Sequence, residues 1–170
     1  MRRIEAIGES PVFLRHIHAI EAAEVSREFC RHGLSHALDV ARIAWILVLE
    51  RERPLSKDVV YAAALLHDLG RSEQYATGED HDVAGARIAA EVIDGLPERL
   101  RFEADERAMI IAAVAGHRGA CDVDVVAEGR QEMLIDLIKE SDNRSRACYA
   151  CSARAACYWS DERKNLNLSI

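Results

Sequence analysis

The fold of this chain is decided by two stretches, HGLSHALDVARIA (residues 32–44) and AALLHDLGR (residues 63–71). Both carry apolar residues at helical spacing, together with histidines. Six imidazole and carboxylate groups lie on segments of this kind, or at their ends: His36, His67, Asp68, His81, His117 and Asp142. Such groups are ligands for iron, manganese or zinc, and six are too few to close two octahedral shells. Open positions at a metal pair could take a substrate oxygen or an activated water, so the pattern indicates a metalloenzyme.

The doublet His67-Asp68 ends a strongly apolar run. A carboxylate so close to a core is costly unless it is paired or bound to a metal. Adjacent side chains on a helix diverge by about 100°. One metal bound by both residues must therefore lie near the helix end, or Asp68 must bridge two metals. Either arrangement leaves a cavity at the helix end through which a substrate could enter.

The two stretches resemble the opening of an HD domain, a helical fold named for its His-Asp doublet. In that family a histidine, the doublet and a later aspartate meet around a metal, and they match His36, His67, Asp68 and Asp142. His81, in HDVAGA (81–86), and His117, in AGHRG (115–119), match the extra pair of the two-metal members. The similarity covers roughly residues 29–147.

The resemblance implies an all-α, HD-domain-like bundle of six or seven helices. It also implies a metal-dependent phosphohydrolase that acts on a nucleotide or another small phosphate ester through a two-metal-activated water. The cofactors would be two divalent ions, iron, manganese or another transition metal, and Asp68 would be the catalytic bridging carboxylate. Two-metal members include symmetrical dinucleoside tetraphosphate hydrolases. The family often has a lysine directly after its last aspartate, where this chain has Asn143.

Periodicity and helix-end signals predict the positions of the main helices. We expect a cap at Ser56 and a C-terminal glycine at Gly70. His16 and His18 are predicted to lie on the surface, and His32 is left open between a surface residue and a contact of the site. Six helices are predicted, over residues 10–30, 32–52, 56–70, 83–93, 103–115 and 131–146. Residues 1–147 are expected to form the HD domain, with residues 148–170 a cysteine-containing tail packed on it.

Composition limits the functional classes. A chain of 170 residues with 49% hydrophobic and 30% charged residues suits one globular domain. No apolar run approaches the ~18 to 20 residues of a membrane span, and the N-terminus lacks a secretory core, so we expect a cytoplasmic protein with no membrane partner. The net charge of −7 argues against binding to polymeric nucleic acid but is compatible with a small phosphorylated substrate. The oligomeric state is not defined by the sequence.

Three basic residues near the ligands are predicted to bind substrate: Arg71, Arg118 and Lys139. A guanidinium group matches the geometry of phosphate oxygens, and an ammonium group supplies a point charge. The alternative is that these residues belong to solvated helix ends.

Three cysteines in the tail, Cys148, Cys151 and Cys157, form a C-x2-C-x5-C array. Thiolates at such spacing bind zinc or an iron–sulfur cluster, and Cys30 is the preferred fourth ligand, ahead of Cys121. A possible structural metal at these residues would pin the tail to the start of the second helix. Ordinary reduced thiols are the alternative.

Two other functions remain open from the sequence. Some HD proteins with four histidines and two aspartates are oxygenases that use an iron pair. A non-enzymatic domain that senses metal or redox state through its cysteines is the third interpretation.

Overall fold

A computed structural model describes residues 1–118 and 129–168, and it confirms the all-α class. Besides α-helices, this part of the chain contains short 3-10 turns at Glu98–Leu100, Cys148–Ala150, Arg154–Ala156 and Asp161–Arg163. Most of the predicted connection 119–129, including Cys121, lies outside the described residues. Eight α-helices occur in the described part: α1 (Arg2–Gly8), α2 (Pro11–Ala23), α3 (Leu34–Glu50), α4 (Lys57–Leu66), α5 (Arg71–Thr77), α6 (His81–Asp94), α7 (Ala104–Gly116) and α8 (Arg130–Arg144).

Helix α4 is the centre of the bundle. Seven of its ten residues are buried, and it packs against α1, α3, α6, α7 and α8. A helix that is apolar on nearly all sides must be enclosed by others, and each fully buried valine or leucine contributes about 1.5–3 kcal/mol. The N-terminal end is fixed as predicted, because Ser56 Oγ accepts a hydrogen bond from the Val59 amide. His67 and Asp68, which directly follow its C-terminal end, therefore lie in the middle of the molecule.

The prediction that the first long helix reaches Cys30 is wrong. Helix α2 ends at Ala23, and residues 24–33 form an irregular connection to α3. Glu24 is the reason, because its buried carboxylate accepts a hydrogen bond from the His32 amide at 2.6 Å. That bond ties the connection back onto itself and leaves Cys30 outside any helix.

The predicted role of Gly70 is also wrong. Helix α4 ends at Leu66, and Gly70 is instead the N-cap of the short helix α5, with φ of −64°. A Cβ atom on Gly70 would lie 1.9 Å from the His81 carbonyl oxygen and 2.4 Å from the Gly85 amide nitrogen. Glycine is required because two backbones touch here, and this contact brings the start of α6 beside the doublet.

The tail has little core of its own. Among residues 147–168 only Cys148 is buried. The Asn165 amide donates hydrogen bonds to the carbonyls of Asn143 and Arg146, at 2.6 and 3.0 Å. Trp159 lies between the guanidinium groups of Arg146 and Arg163. The tail is thus attached mainly by polar and cation–π contacts.

None of the helices in residues 1–118 and 129–168 combines the length and apolar character needed to cross a membrane.

Candidate metal centre

The six predicted ligands meet at one place. The rings of His36, His67, His117 and His81 follow one another with centroids 5.2 to 5.4 Å apart. Helix ends bring all six together: His36 in the first turn of α3, His67 and Asp68 just after α4, His81 at the start of α6, His117 just after α7 and Asp142 in the last turn of α8.

The two carboxylate oxygens of Asp68 face two different pairs of histidines. Oδ2 lies 3.7 Å from His36 Nε2 and 3.4 Å from His67 Nε2. Oδ1 lies 3.8 Å from His81 Nε2 and 3.5 Å from His117 Nε2. The residues thus form two compact groups of potential metal ligands that share Asp68 alone.

Apart from ion-pair contacts with Arg71 and Asp142, these atoms have no partner outside the centre among the described residues. The Nε2 atoms of all four histidines and both Asp68 oxygens are buried without a hydrogen bond. Leaving a buried polar atom unsatisfied costs about 1–3 kcal/mol, so six at one point are a large penalty unless an ion satisfies them. Imidazole nitrogens and a carboxylate are a suitable donor set for divalent transition metals. The site therefore fits the metals that the family implies.

The opposite ring nitrogens fix how the histidines are presented. In both His67 and His117, Nδ1 donates to the carbonyl oxygen three residues earlier, at 2.7 and 2.6 Å. Nδ1 of His36 lies 3.2 Å from Ser145 Oγ, whose own hydroxyl donates to the Asp142 carbonyl. With the proton on Nδ1, each of these rings presents the lone pair of Nε2 to the centre.

Asp142 joins the centre from the edge. Its Oδ1 lies 3.2 Å from His36 Nε2, but Asp142 does not belong to either compact group. Arg146 donates to both of its oxygens, at 3.0 and 2.9 Å. Asp142 would therefore share its carboxylate between a metal and Arg146.

The charges around the centre favour the ionised form of the Asp68 carboxylate. Burial would raise the pKa of Asp68, but the fields of His67 and Arg71 outweigh it and hold that pKa well below its usual value. Burial and the Arg71 charge lower the pKa of His81 to about 4, which keeps this imidazole neutral as a ligand must be. For His36, contacts with the Asp142 and Asp68 carboxylates outweigh burial and raise the pKa to about 9, so a metal at this position would have to displace a proton from Nε2.

His32 is buried next to this centre. Of the two alternatives that the sequence allowed, it is therefore a contact of the site and not a surface residue. It is only 4% exposed, and its ring centroid lies 5.5 Å from that of His36. Its Nδ1 lies 2.6 Å from Glu24 Oε1, which also accepts a hydrogen bond from the Tyr75 hydroxyl. Burial lowers the pKa of His32 despite Glu24. The neutral ring thus donates through Nδ1 and keeps a lone pair on Nε2.

The prediction that His16 lies on the surface is wrong, whereas His18 is exposed as expected. His16 is 6% exposed, and its Nδ1 lies 2.7 Å from Ser72 Oγ. The hydrogen bond joins α2 to α5 and serves the packing of these two helices.

The three basic residues predicted to bind substrate occupy different surroundings. Arg71 Nε lies 2.8 Å from Asp68 Oδ1, as an ion pair without hydrogen-bond alignment. Arg118 is about half exposed and contacts Asp80 and Asp82 beside the start of α6. Lys139 is half-buried on α8, before Asp142 in the chain. Arg71 is thus directly at the centre and Arg118 at its rim.

A cavity of about 590 Å³ opens beside His36. This volume lies within the range of small-molecule sites. Its wall contains His36, Arg146 and all four cysteines of the described residues. Four cationic side chains line it, Arg31, Arg146, Arg154 and Lys164, together with four acidic ones, Glu21, Glu24, Glu28 and Asp39.

Comparison with known proteins agrees with this geometry. Residues 15–156 match the model of the HD domain family, so the chain belongs to that family and to its superfamily of metal-dependent phosphohydrolases. It is 31% identical over 168 residues, 99% of both chains, to an uncharacterized protein of Clostridium beijerinckii. It is 27% identical over 133 residues to Ribonuclease Y 1 of Pediococcus pentosaceus, a match that covers 72% of this chain and 22% of that protein. No solved structure matches.

Proposed function

We propose that the protein is a two-metal phosphohydrolase that acts on a nucleotide or another small phosphate ester. The observation that carries the proposal is the position of the Asp68 carboxylate, whose two oxygens face separate pairs of histidines. A carboxylate placed in this way suits a bridge between two cations. Two bound ions would supply Lewis-acid activation of a phosphoryl group and a water nucleophile at neutral pH.

The side chains around the centre are suited to an anionic substrate. Arg71 has a planar guanidinium beside Asp68, where it could orient phosphoryl oxygens and stabilise charge that develops on them. Arg146 is held by Asp142 and faces the adjoining cavity, so it could contact a more distant part of the substrate. His32 offers Nε2 as a hydrogen-bond acceptor close to His36.

RNA is the second candidate substrate class, because one relative is named a ribonuclease. The chain spans about a fifth of that protein, and its net charge of −7 disfavours contact with a long polyanion. We therefore expect small nucleotides to be hydrolysed in preference to an RNA oligomer.

The test is metal analysis of the isolated protein with a hydrolysis screen in manganese, magnesium and iron, run without oxygen. The substrates are symmetrical dinucleoside tetraphosphates, mononucleotides, a simple aryl phosphate and a short RNA. Phosphate or nucleotide release supports the proposal. No hydrolysis with any metal, together with iron-dependent oxygen consumption in a parallel aerobic assay, would replace it by the oxygenase alternative.

Replacing both His81 and His117 with alanine should reduce the metal content from two ions per chain to one. The Nε2 atoms of both residues lie beside Asp68 Oδ1, at 3.8 and 3.5 Å, whereas the group formed by His36, His67 and Asp68 is left intact. Elemental analysis after desalting measures the change, and His18→Ala, at an exposed histidine, is the control. Two ions retained in the double variant would contradict the assignment of the second position.

Changing His32 to asparagine should lower kcat by roughly 10- to 100-fold while both metals remain bound. The asparagine amide can still donate to Glu24 but supplies nothing at the position of Nε2. His16→Asn is a matched control, because it alters another buried, hydrogen-bonded histidine outside the ligand groups. An unchanged kcat for His32→Asn would limit His32 to a packing role.

A further inference from the structure

The tail contributes little apolar surface to the core of the domain. Of residues 147–168, Tyr158 is 83% exposed and Leu168 82% exposed, and Cys148 is the only buried residue. Small units that cannot bury much apolar surface often depend on disulfides or metals for stability. The described cysteines form no disulfide.

The cysteines are placed where such a fastening would act. Cys148 begins one 3-10 turn and Cys151 directly follows it, and Cys157 directly follows the next. Cys30, in the irregular connection between α2 and α3, lines the same cavity as these three cysteines. Three ligands thus come from the tail and one from the domain, so binding all four would join the two.

Electrostatics also indicates that the thiols are close together. Desolvation raises the pKa of Cys30, and the nearby Cys148 and Cys151 raise it further, while Arg146 acts in the opposite direction. Thiolates that repel one another in this way are stabilised when a cation is bound between them.

We infer that Cys30, Cys148, Cys151 and Cys157 form a four-thiolate metal site that fastens the tail to the domain and shares no ligand with the histidine centre. Four thiolates fill the coordination shell of a zinc ion or hold an iron–sulfur cluster, so the site is structural and leaves no open position for substrate. With this metal bound, the tail would form one wall of the cavity beside His36.

The four sulfurs are not gathered closely enough for a single zinc ion. Among the described residues, no three cysteine sulfurs lie within 4.8 Å of one another. Zinc–sulfur bonds of about 2.3 Å in a tetrahedron place the sulfurs about 3.8 Å apart, and a cluster of several irons holds them further apart. Metal binding should therefore draw the tail toward Cys30.

The experiment measures zinc, iron and acid-labile sulfide in full-length protein purified without oxygen or chelator. In the Asp68→Asn protein, whose histidine centre should hold no metal, we expect either one zinc per chain in a colourless site, or iron with matching sulfide and visible absorbance. Cys30→Ser, Cys151→Ser and Cys157→Ser should each lose this metal, while Cys121→Ser and Asp68→Asn should keep it. Loss of the metal in Cys121→Ser but not in Cys30→Ser would overturn the ligand set.

A second measurement tests whether the metal attaches the tail to the domain. Cys151→Ser and Cys157→Ser should lower the melting temperature and make the bonds after residue 147 more sensitive to limited proteolysis, with the helical content unchanged. Protein with no zinc, iron or sulfide in this site, four reactive thiols and the same melting temperature in both variants would overturn the inference. None of these readouts depends on turnover, so failure of the proposed hydrolase activity would leave the result interpretable.

Discussion

The Asp68→Asn variant should lose both metal ions of the histidine centre and have turnover reduced by roughly a thousandfold or more. Asparagine has nearly the shape of aspartate, but it carries no charge and has one acceptor oxygen instead of two. Both compact ligand groups depend on Asp68, and no other carboxylate belongs to either of them. Elemental analysis and kcat under the best conditions of the substrate screen measure the two losses.

The control for this variant is Asp94→Asn, which removes a surface ion pair with Arg107 at the end of α6. Such pairs contribute about 0–1 kcal/mol, so activity and metal content should not change. Circular dichroism should show the same helicity for both variants, because α4 is held by its apolar residues. An Asp68→Asn protein with native metal content and turnover would contradict the bridging role.

Local sequence predicts the ligands well because each is tied to a helix end. The apolar run before His67 must form a buried helix, and the residues that follow it must lie in the core. The order of the histidines then supplies the remaining elements of the family pattern. The convergence of His81 and His117 on Asp68, to 3.8 and 3.5 Å, agrees with that pattern.

Contacts between distant segments are what the sequence could not provide. The burial of His16 depends on Ser72, 56 residues away, and His32 is buried because Glu24 and Tyr75 enclose it. Neither histidine has a local pattern that separates it from the exposed His18. A carboxylate eight residues before a histidine at a helix start was the one available signal for the Glu24–His32 pair.

Gly70 shows the same limit at the level of the backbone. A glycine after an apolar helix indicates a helix end, and the sequence contains no sign that α6 passes directly against it. The structure places the Gly70 Cβ position 1.9 Å from the His81 carbonyl and 2.4 Å from the Gly85 amide. Both obstacles are main-chain atoms, which no change of side-chain rotamer can relieve.

We therefore expect Gly70→Ala to destabilise the protein by roughly 3 kcal/mol or more and to displace the start of α6. Because His81 begins that helix, the folded fraction should also lose the ion held by His81 and His117. Urea unfolding gives the free energy, and elemental analysis of the folded fraction gives the metal content. Gly8→Ala is the matched control: nothing lies within 4 Å of its Cβ position, so it should be neutral or stabilise by about 0.4–1 kcal/mol. Equal stability of the two variants would mean that α6 can move away from Gly70 at no cost, and the backbone contact would then not be what positions His81.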